Sequence, residues 1–220
     1  MVESSTLAKN QAKRRRRVMS AAMSLAADGG FENVQMRDVA AEADVALGTL
    51  YRYFPSKEYL LVSVLLELVD GLRVSLEQAP AVGDSPRDRV VDILRRAVSF
   101  HPDRDAFGAL IRALASANPD IADLVREINH KMTTVIVGAM YADETEPTAR
   151  DLQVARVLQL TWLSAVFGWI NGVEDQSKVI EDLETAASLL MDPPPRSRSA
   201  AVSKAPRAKQ SGAKTSGVRS

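Results

Sequence analysis

Residues 34–57, VQMRDVAAEADVALGTLYRYFPSK, carry two short helical patterns separated by a tight break. The first pattern predicts a helix over 36–43, because its apolar residues recur at a spacing of three or four. The second predicts a helix over 46–54, which ends at Pro55 because proline cannot extend a helix. Asp44-Val45 forms the break. This arrangement is typical of a helix-turn-helix, whose second helix can enter the major groove of DNA.

The second helix of the motif presents an outward face suited to a polyanionic partner. Gly48 lets a partner backbone approach closely, because glycine has no side chain. Hydroxyl groups suit phosphate oxygens, and an arginine can fork onto a guanine edge. This face comprises Leu47, Gly48, Thr49, Tyr51 and Arg52, with Tyr53 at its edge. The alternative is an amphipathic helix whose polar tips are merely solvated.

Further helices are predicted on both sides of the motif. The first covers 9–27 behind a flexible arm, 1–11, and ends at Asp28-Gly29-Gly30, where glycine supplies a left-handed cap. An extended link, 31–34, leads into the motif. Downstream, helical patterns cover 57–78 with Ser56 as cap, 86–101, 103–117, 119–140, 147–171 and 175–191. The predicted fold is therefore all-α, with about nine helices.

Composition excludes several classes of site. The 220 residues include no Cys and two His, which rules out disulfides and thiolate metal sites and argues against any metal centre. No run approaches the roughly 18 to 20 apolar residues that a membrane helix needs. We therefore expect a soluble, cytoplasmic protein without metal, cofactor or membrane partner.

The net charge of zero results from cancellation between segments. Residues 1–60 carry 9 basic against 7 acidic side chains, residues 61–195 carry 12 against 21, and residues 196–220 carry 7 against none. The basic ends, which include Lys13–Arg17, could therefore meet an anion such as nucleic acid. Residues 193–220, which begin with Pro193-Pro194-Pro195, have almost nothing to bury and are expected to form a disordered basic tail.

The motif and its flanks, FENVQMRDVAAEADVALGTLYRYFPSKE at 31–58, resemble the TetR family of bacterial one-component repressors. The resemblance spans 12–72 and implies a DNA-binding head, with the helix-turn-helix at 35–54, that reads a palindromic operator from the nucleoid. It also implies a ligand-binding and dimerisation domain over 73–192. The DNA-contacting residues it implies are Thr49, Tyr51, Tyr53 and Lys57 on phosphates, Leu47, Gly48 and Arg52 in the groove, and Arg37 and Ala46 beside them.

The sequence departs from the family pattern at three points. Gln35 stands where a Ser or Thr cap is common, and Asp44 where the turn often has Gly. Asp tolerates the left-handed conformation better than most residues, so the turn is expected to survive. Ala46-Leu47 replaces a commoner Ser-Lys or Ser-Arg pair, which suggests an apolar contact with a thymine methyl group. These residues predict an operator different from those of better-known members.

A closer similarity, in the head and beyond it, points to a subgroup. The 34–37 and 43–57 stretches, together with Ala155-Arg156-Val157, Trp162-Leu163-Ser164 and Trp169, are most similar to actinobacterial repressors of sterol and lipid catabolism. This similarity implies an apolar effector, which could be a steroid, a fatty acid or an acyl-CoA thioester. A CoA tail would need cations near the mouth of the site, and Arg104, Arg112 and Arg126 are the candidates.

The effector half offers candidate pocket and dimer residues. The helix over 147–171 is apolar nearly all round between Leu158 and Ile170, so it is buried on more than one side. We expect a homodimer through helices eight and nine, at 147–171 and 175–191. The alternative is that helix eight is buried within a monomer. The pocket candidates, which could equally be plain core, are Phe100, Phe107, Leu110, Ile111, Leu114, Met132, Ile136, Trp162 and Trp169.

Two other functional classes compete with a repressor. An enzyme is disfavoured, because no nucleophile elbow, phosphate-binding glycine loop, metal spacing or supported carboxylate pair occurs. Non-specific binding of nucleic acid or a membrane surface through the basic ends is the remaining alternative.

Overall fold

A computed structural model describes the backbone of residues 2–99, 103–116, 118–141 and 146–192, and their side chains from residue 10 onward. This part of the chain contains no strand, so the predicted all-α class is confirmed. Its helices are α1 (Val2–Asn33), α2 (Met36–Glu42), α3 (Leu47–Tyr53), α4 (Lys57–Gln78), α5 (Pro86–Ser99), α6 (Arg104–Leu114), α7 (Ala122–Met140), α8 (Ala149–Ile170) and α9 (Gln176–Met191), with a 3₁₀ turn, Pro119–Ile121, before α7.

The N-terminal head is a small core closed by α1, α2, α3 and the start of α4. Leu50 and Phe54 are almost completely buried there, as are Val39 of α2 and Ala22 of α1. Burial of one large apolar side chain stabilises a fold by about 1.5–3 kcal/mol. These few residues therefore fix the orientation of α3, and leave its other face free.

Side-chain caps define where several helices begin. Ser56 accepts a hydrogen bond from the Tyr59 backbone N–H at 3.0 Å, as the sequence predicts for the start of α4. Thr148 and Asp151 form a reciprocal capping box at the start of α8. α8 therefore begins at Ala149, two residues after the predicted start, because Thr148 is its cap rather than part of its first turn.

The first helix differs from the prediction at both ends. It begins at Val2, within the stretch expected to be a flexible arm, since no Gly or Pro interrupts the helical pattern there. Gly29 and Gly30 leave helical geometry, and Gly30 adopts a left-handed φ of 66°. The helix kinks at these two residues and continues to Asn33, so the predicted extended link at 31–34 is wrong over residues 31–33.

α6 is shorter than the sequence predicts. α6 ends at Leu114, before the predicted end at 117, and Ala115 forms its C-cap. The predicted end of α5 at His101-Pro102 and the predicted disordered tail at 193–220 lie outside the described residues.

The remaining helices form a bundle joined to the head by α1 and α4. α1 packs along α6, α4 packs against both α6 and α7, and α8 pairs with α9. α4 is continuous across the predicted domain boundary at 72/73, so this boundary falls inside a helix. None of the helices in the described ranges is both long and apolar enough to span a membrane.

Candidate functional sites

The turn between α2 and α3 is built by Asp44, whose φ of 51° lies in the left-handed region. The Val45 N–H closes it by donating to the Ala40 carbonyl at 3.0 Å. Neither Gln35 nor Ala46, the N-caps of α2 and α3, makes a side-chain capping hydrogen bond. Backbone hydrogen bonds and apolar packing therefore hold the motif, and Asp44 replaces the usual glycine as predicted.

The outward face of α3 is open to a partner. Leu47 and Tyr51 expose 40% and 47% of their surface, and Arg52 and Ala46 are also exposed. A Cβ atom built on Gly48 meets no other heavy atom within 4 Å, so packing within the chain does not require glycine there. Thr49 is half-buried at the edge of this face.

Lys57 and Tyr53, both predicted to contact phosphates, make contacts within the chain. The Lys57 ammonium donates to the Phe31 carbonyl at 3.0 Å and lies 3.9 Å from the centre of the Phe31 ring. Arg52 lies over the ring of the half-buried Tyr53, with 5.3 Å between guanidinium and ring centre. Lys57 thus ties the start of α4 to the end of α1, a structural role that the sequence did not reveal.

Cations of α1 and α2 surround the motif. Arg15 lies over the Phe54 ring at 5.1 Å and pairs with Glu67 at 3.5 Å, and Arg17 lies 3.9 Å from Asp44. Arg37, predicted to contact DNA, has an exposed side chain whose only ion pair within the described residues is with its neighbour, Asp38. Lys13, Arg14 and Arg16 have no ion pair within the same part of the chain, so they are available to an external anion.

A mostly apolar cavity of about 120 Å³ lies between α4, α5, α6, α7 and α8. Five of the nine predicted pocket residues line it: Phe107, Leu114, Met132, Ile136 and Trp162. Leu110 and Ile111 are completely buried core residues outside the lining, and Trp169 is also buried elsewhere, although its ring lies 6.0 Å from that of Phe107. Phe100 lies outside the described residues.

The sequence prediction missed the contribution of α4. Leu65, Leu68, Val69 and Leu72 all face the cavity, which makes α4 both a wall of the cavity and the helix that enters the head. The sequence did indicate that α4 is buried on more than one side, because residues 60–69 are more apolar than a helix with only one buried face requires.

Few polar side chains line the cavity. Gln159 donates its amide N–H groups to Thr133 Oγ1 at 2.9 Å and to the Ala155 carbonyl at 3.3 Å. Asn129 is exposed at the rim, and Trp162 contributes an indole N–H. The three arginines proposed for a CoA tail do not line the cavity: Arg104 and Arg112 lie in a separate cleft between α1 and α6, and the exposed Arg126 pairs with Asp123.

Two polar clusters hold helices of the bundle in place. Lys131 of α7 reaches Asp70 of α4 at 2.7 Å, and this hydrogen bond raises the pKa of the Lys131 ammonium. Asp151 accepts from the Thr148 hydroxyl and then from the Tyr141 hydroxyl, which together lower the pKa of the Asp151 carboxyl; the same bond raises the pKa of Tyr141. The first cluster links α4 to α7, and the second fixes the start of α8.

The outer surface of α8 and α9 carries exposed apolar residues. Leu160 and Leu189 expose 55% and 79% of their surface. They border a shallow groove whose floor on α8 consists of small residues, Ser164, Ala165 and Gly168. Small side chains allow another helix to approach closely, so this surface, hereafter the α8–α9 face, is the candidate dimer interface.

Within the described ranges, no group of three or more His, Asp or Glu side chains is placed to hold a metal ion.

Family comparisons match both the head and the helical bundle to known bacterial regulators. Residues 18–64 match the family described as bacterial regulatory proteins, tetR family, and residues 83–190 match one described as tetracyclin repressor-like, C-terminal domain. The chain is 38% identical to the HTH-type transcriptional repressor KstR of Rhodococcus jostii over 182 residues. These residues make up 82% of this chain and 84% of that protein.

Solved structures share the fold. A TetR transcriptional regulator from Rhodococcus sp. RHA1 superposes with a TM-score of 0.75 at 31% identity, covering 83% of this chain and 98% of that one. The repressor FadR of Thermus thermophilus, solved in complex with lauroyl-CoA, has a TM-score of 0.58 at 21% identity, covering 80% and 92%. At that identity, the second likeness bears on the fold alone.

Proposed function

The chain belongs to the TetR family of bacterial regulatory proteins, and from this premise we propose that it is a dimeric repressor released from a palindromic operator by an apolar effector. The predicted family and its KstR-like subgroup are confirmed by the family matches and by the KstR relatives. Those relatives are transcriptional repressors, so the chain is a regulator rather than an enzyme. Operator binding would place it in the cytoplasm, on the chromosome.

The exposed face of α3 supports direct reading of the operator. Arg52 is the cation of that face, and Leu47 offers an apolar contact where the family commonly has a charged residue. A bidentate arginine–guanine contact discriminates by about 1–3 kcal/mol, whereas phosphate contacts position the protein without reading sequence. We assign base recognition to Leu47 and Arg52, and backbone contacts to the hydroxyls of Thr49 and Tyr51.

The α8–α9 face supports a two-fold dimer. Two copies joined there would bring two α3 helices to successive major grooves, whose spacing is about 34–36 Å on one side of the duplex. Leu189→Glu should weaken the dimer in analytical ultracentrifugation. Val82→Glu, at a similarly exposed apolar residue in the α4–α5 loop, is the matched control that should leave the dimer intact. A dimer unaffected by Leu189→Glu would place the interface elsewhere.

The cavity supports an apolar effector that must widen its site to bind. Pockets for drug-sized ligands measure about 300–1,000 Å³, and this cavity measures about 120 Å³. A steroid or acyl chain must therefore displace the surrounding helices. We propose a steroid, a fatty acid or an acyl-CoA thioester as the effector class, with the apolar body in the cavity.

One observation carries the proposed coupling: α4 lines the cavity and continues without a break into the head. α6 offers a second route, because it lines the cavity with Phe107 and Leu114 and packs against α1. Widening the cavity would move both helices and change the spacing of the two heads. A ligand that prefers the widened state would thus lower operator affinity by shifting the population away from the DNA-binding form.

The test is an anisotropy titration of the full chain against the DNA upstream of its own gene, with random duplex as competitor. Specific binding should be relieved by one of three probes: a steroid, a long-chain fatty acid or its CoA thioester. Arg52→Ala should weaken the preference for the operator over random duplex by about 1–3 kcal/mol, while Arg126→Ala, at another exposed arginine outside the head, should leave it unchanged. Binding that random duplex competes away equally would instead favour non-specific attachment through the basic ends.

A further inference from the structure

One ion pair joins the middle of α4 to α7. The Lys131 ammonium reaches both carboxylate oxygens of Asp70, at 2.7 and 2.8 Å. Within the described ranges, it is the only ion pair that links α4 to any helix from α5 to α9. The two side chains expose 26% and 40% of their surface, so water reaches the pair. The pair therefore closes the seam between α4 and α7 from its solvent-accessible side.

Residues that line the cavity stand next to both partners of this pair. On α4, Asp70 directly follows the lining residue Val69, and on α7, Lys131 directly precedes the lining residue Met132. Opening of the seam would move one wall of the cavity away from another, and it would separate the ammonium from the carboxylate. The ion pair and the closed cavity are therefore linked by geometry.

The other seams of α7 are held differently. Arg89 of α5 donates to the Ala139 and Met140 carbonyls at the end of α7, at 2.9 and 3.0 Å. Gln159 of α8 donates to Thr133 of α7 at 2.9 Å. In the described part of the chain, the contact between α4 and α7 has no polar tie besides the ion pair. α4 is therefore the wall that loss of a single polar contact would release from α7.

α4 is also tied to the head, one turn before Asp70. Glu67 pairs with Arg15 of α1 at 3.5 Å, and the Arg15 guanidinium lies over the ring of Phe54. Charged residues three positions apart on α4 thus contact the head on one side and the bundle on the other. A displacement of α4 away from α7 would therefore also shift its contact with the head.

We propose that the Asp70–Lys131 ion pair is a latch that holds the effector cavity closed and sets how readily it opens. This inference rests on the proposed function and concerns its regulation. An ion pair in contact with water contributes little net free energy, because the separated charges are hydrated again. The latch can therefore open reversibly, and its loss should raise a small open fraction by about two- to fivefold.

The two binding equilibria should respond unequally to loss of the latch. A ligand that needs the open form binds more tightly in proportion to the open fraction, so its affinity should rise by the same two- to fivefold factor. The closed form remains dominant, so operator affinity without effector should stay within about twofold. General loosening of the fold would not produce this difference.

The test measures the open fraction directly, without effector or DNA. The chain has no cysteine, so Ala97→Cys places the only thiol in the lining of the cavity, on a helix that carries neither partner of the latch. Its rate of reaction with N-ethylmaleimide, an uncharged reagent, reports local opening of the folded full chain. In this background, Asp70→Asn and Lys131→Met should raise the rate about two- to fivefold. Lys131→Arg, which keeps the charge, should not raise it.

Glu127→Gln is the matched control. Glu127 contacts the same ammonium at 3.0 Å, but from within α7, so its loss does not release α4. Glu184→Gln breaks the pair with Arg95 between α5 and α9, and controls for loss of an interhelical ion pair elsewhere. Both should leave the labelling rate unchanged. Sodium chloride at about 1 M should raise the rate of the Ala97→Cys chain toward that of Asp70→Asn, because salt screens a pair in contact with water. This last comparison requires no substitution at the latch.

A labelling rate that does not change in Asp70→Asn, or that rises equally in Glu127→Gln or Glu184→Gln, would overturn the inference. These outcomes concern opening of the cavity alone. Failure of any ligand to release the operator would contradict the proposed function instead, so the two failures are distinguishable.

Discussion

Replacing Gly48 by Ala separates the needs of the fold from the needs of DNA binding. Gly48 is the second residue of α3, and a Cβ atom added there meets nothing within 4 Å. Its backbone does not lie in the left-handed region that favours glycine. Alanine is a better helix former than glycine by about 0.5–1 kcal/mol in a helix interior. Gly48→Ala should therefore raise the free energy of unfolding by up to about 0.5–1 kcal/mol.

Operator binding should respond in the opposite direction. If the DNA backbone lies against Gly48, the added methyl group must push the duplex away from α3. Loss of close contact along this face should lower operator affinity at least tenfold, which corresponds to about 1.4 kcal/mol. Urea denaturation and operator anisotropy measured on the same protein preparation would give both quantities.

Gly138→Ala is the matched control for this experiment. Gly138 lies within α7, away from the head, and a Cβ atom there also meets nothing within 4 Å. This variant should show the same gain in stability and unchanged operator affinity. A Gly48→Ala protein that binds the operator within twofold of the unmodified chain would refute close approach at Gly48. A loss of stability would refute the open space assigned to it.

Three further perturbations test the interior of the molecule. Lys57→Met should reduce the free energy of unfolding by about 1–2 kcal/mol even without DNA, because it removes the ammonium from a backbone carbonyl and an aromatic ring; unchanged urea denaturation would contradict this. Ala97→Leu should partly fill the cavity, leaving operator affinity intact but abolishing release by effector in an anisotropy titration; undiminished release would place the effector elsewhere. Folding lowers the pKa of Asp151, so its ionised carboxylate stabilises the folded protein. This stabilisation is fully present above the pKa of an aspartate in the unfolded chain, near 4, and is lost as the pH falls through the lower pKa of the folded state. Tyr141→Phe should raise that folded pKa toward the ordinary value and flatten the acid limb of the stability profile, and a carboxyl NMR titration that shows the same pKa in both proteins would argue against it.

The head was predictable because its signals are local. Pro55 and Ser56 mark the junction between α3 and α4 within two residues, and the left-handed turn at Asp44 follows from the few residue types that tolerate it. The left-handed glycine was located correctly at Gly29-Gly30, but the helix that the sequence predicted to end there resumes for one more turn. Periodicity gave no reason for that turn, which is completed by contacts such as that between Lys57 and Phe31.

The cavity was only partly predictable because its shape depends on long-range packing. Phe107, Leu110 and Ile111 lie on one short helix and share the same apolar character. Whether each faces a void or solid core depends on how α6 is rotated against its neighbours, which no local pattern specifies. The same limit hid the contribution of α4, and it hid the capture of Lys57 by a carbonyl 26 residues earlier.

The unbroken α4 has a consequence for exchanging heads among relatives. A helix advances by 100° and about 1.5 Å for each residue, so α4, with 22 residues, is a rod of about 33 Å. Inserting or deleting one residue at a junction within it would turn the head by more than a quarter of a circle relative to the bundle. A chimera therefore has to conserve helical phase, and the number of residues between Ser56 and the cavity is as much a part of the sequence specification as their identity.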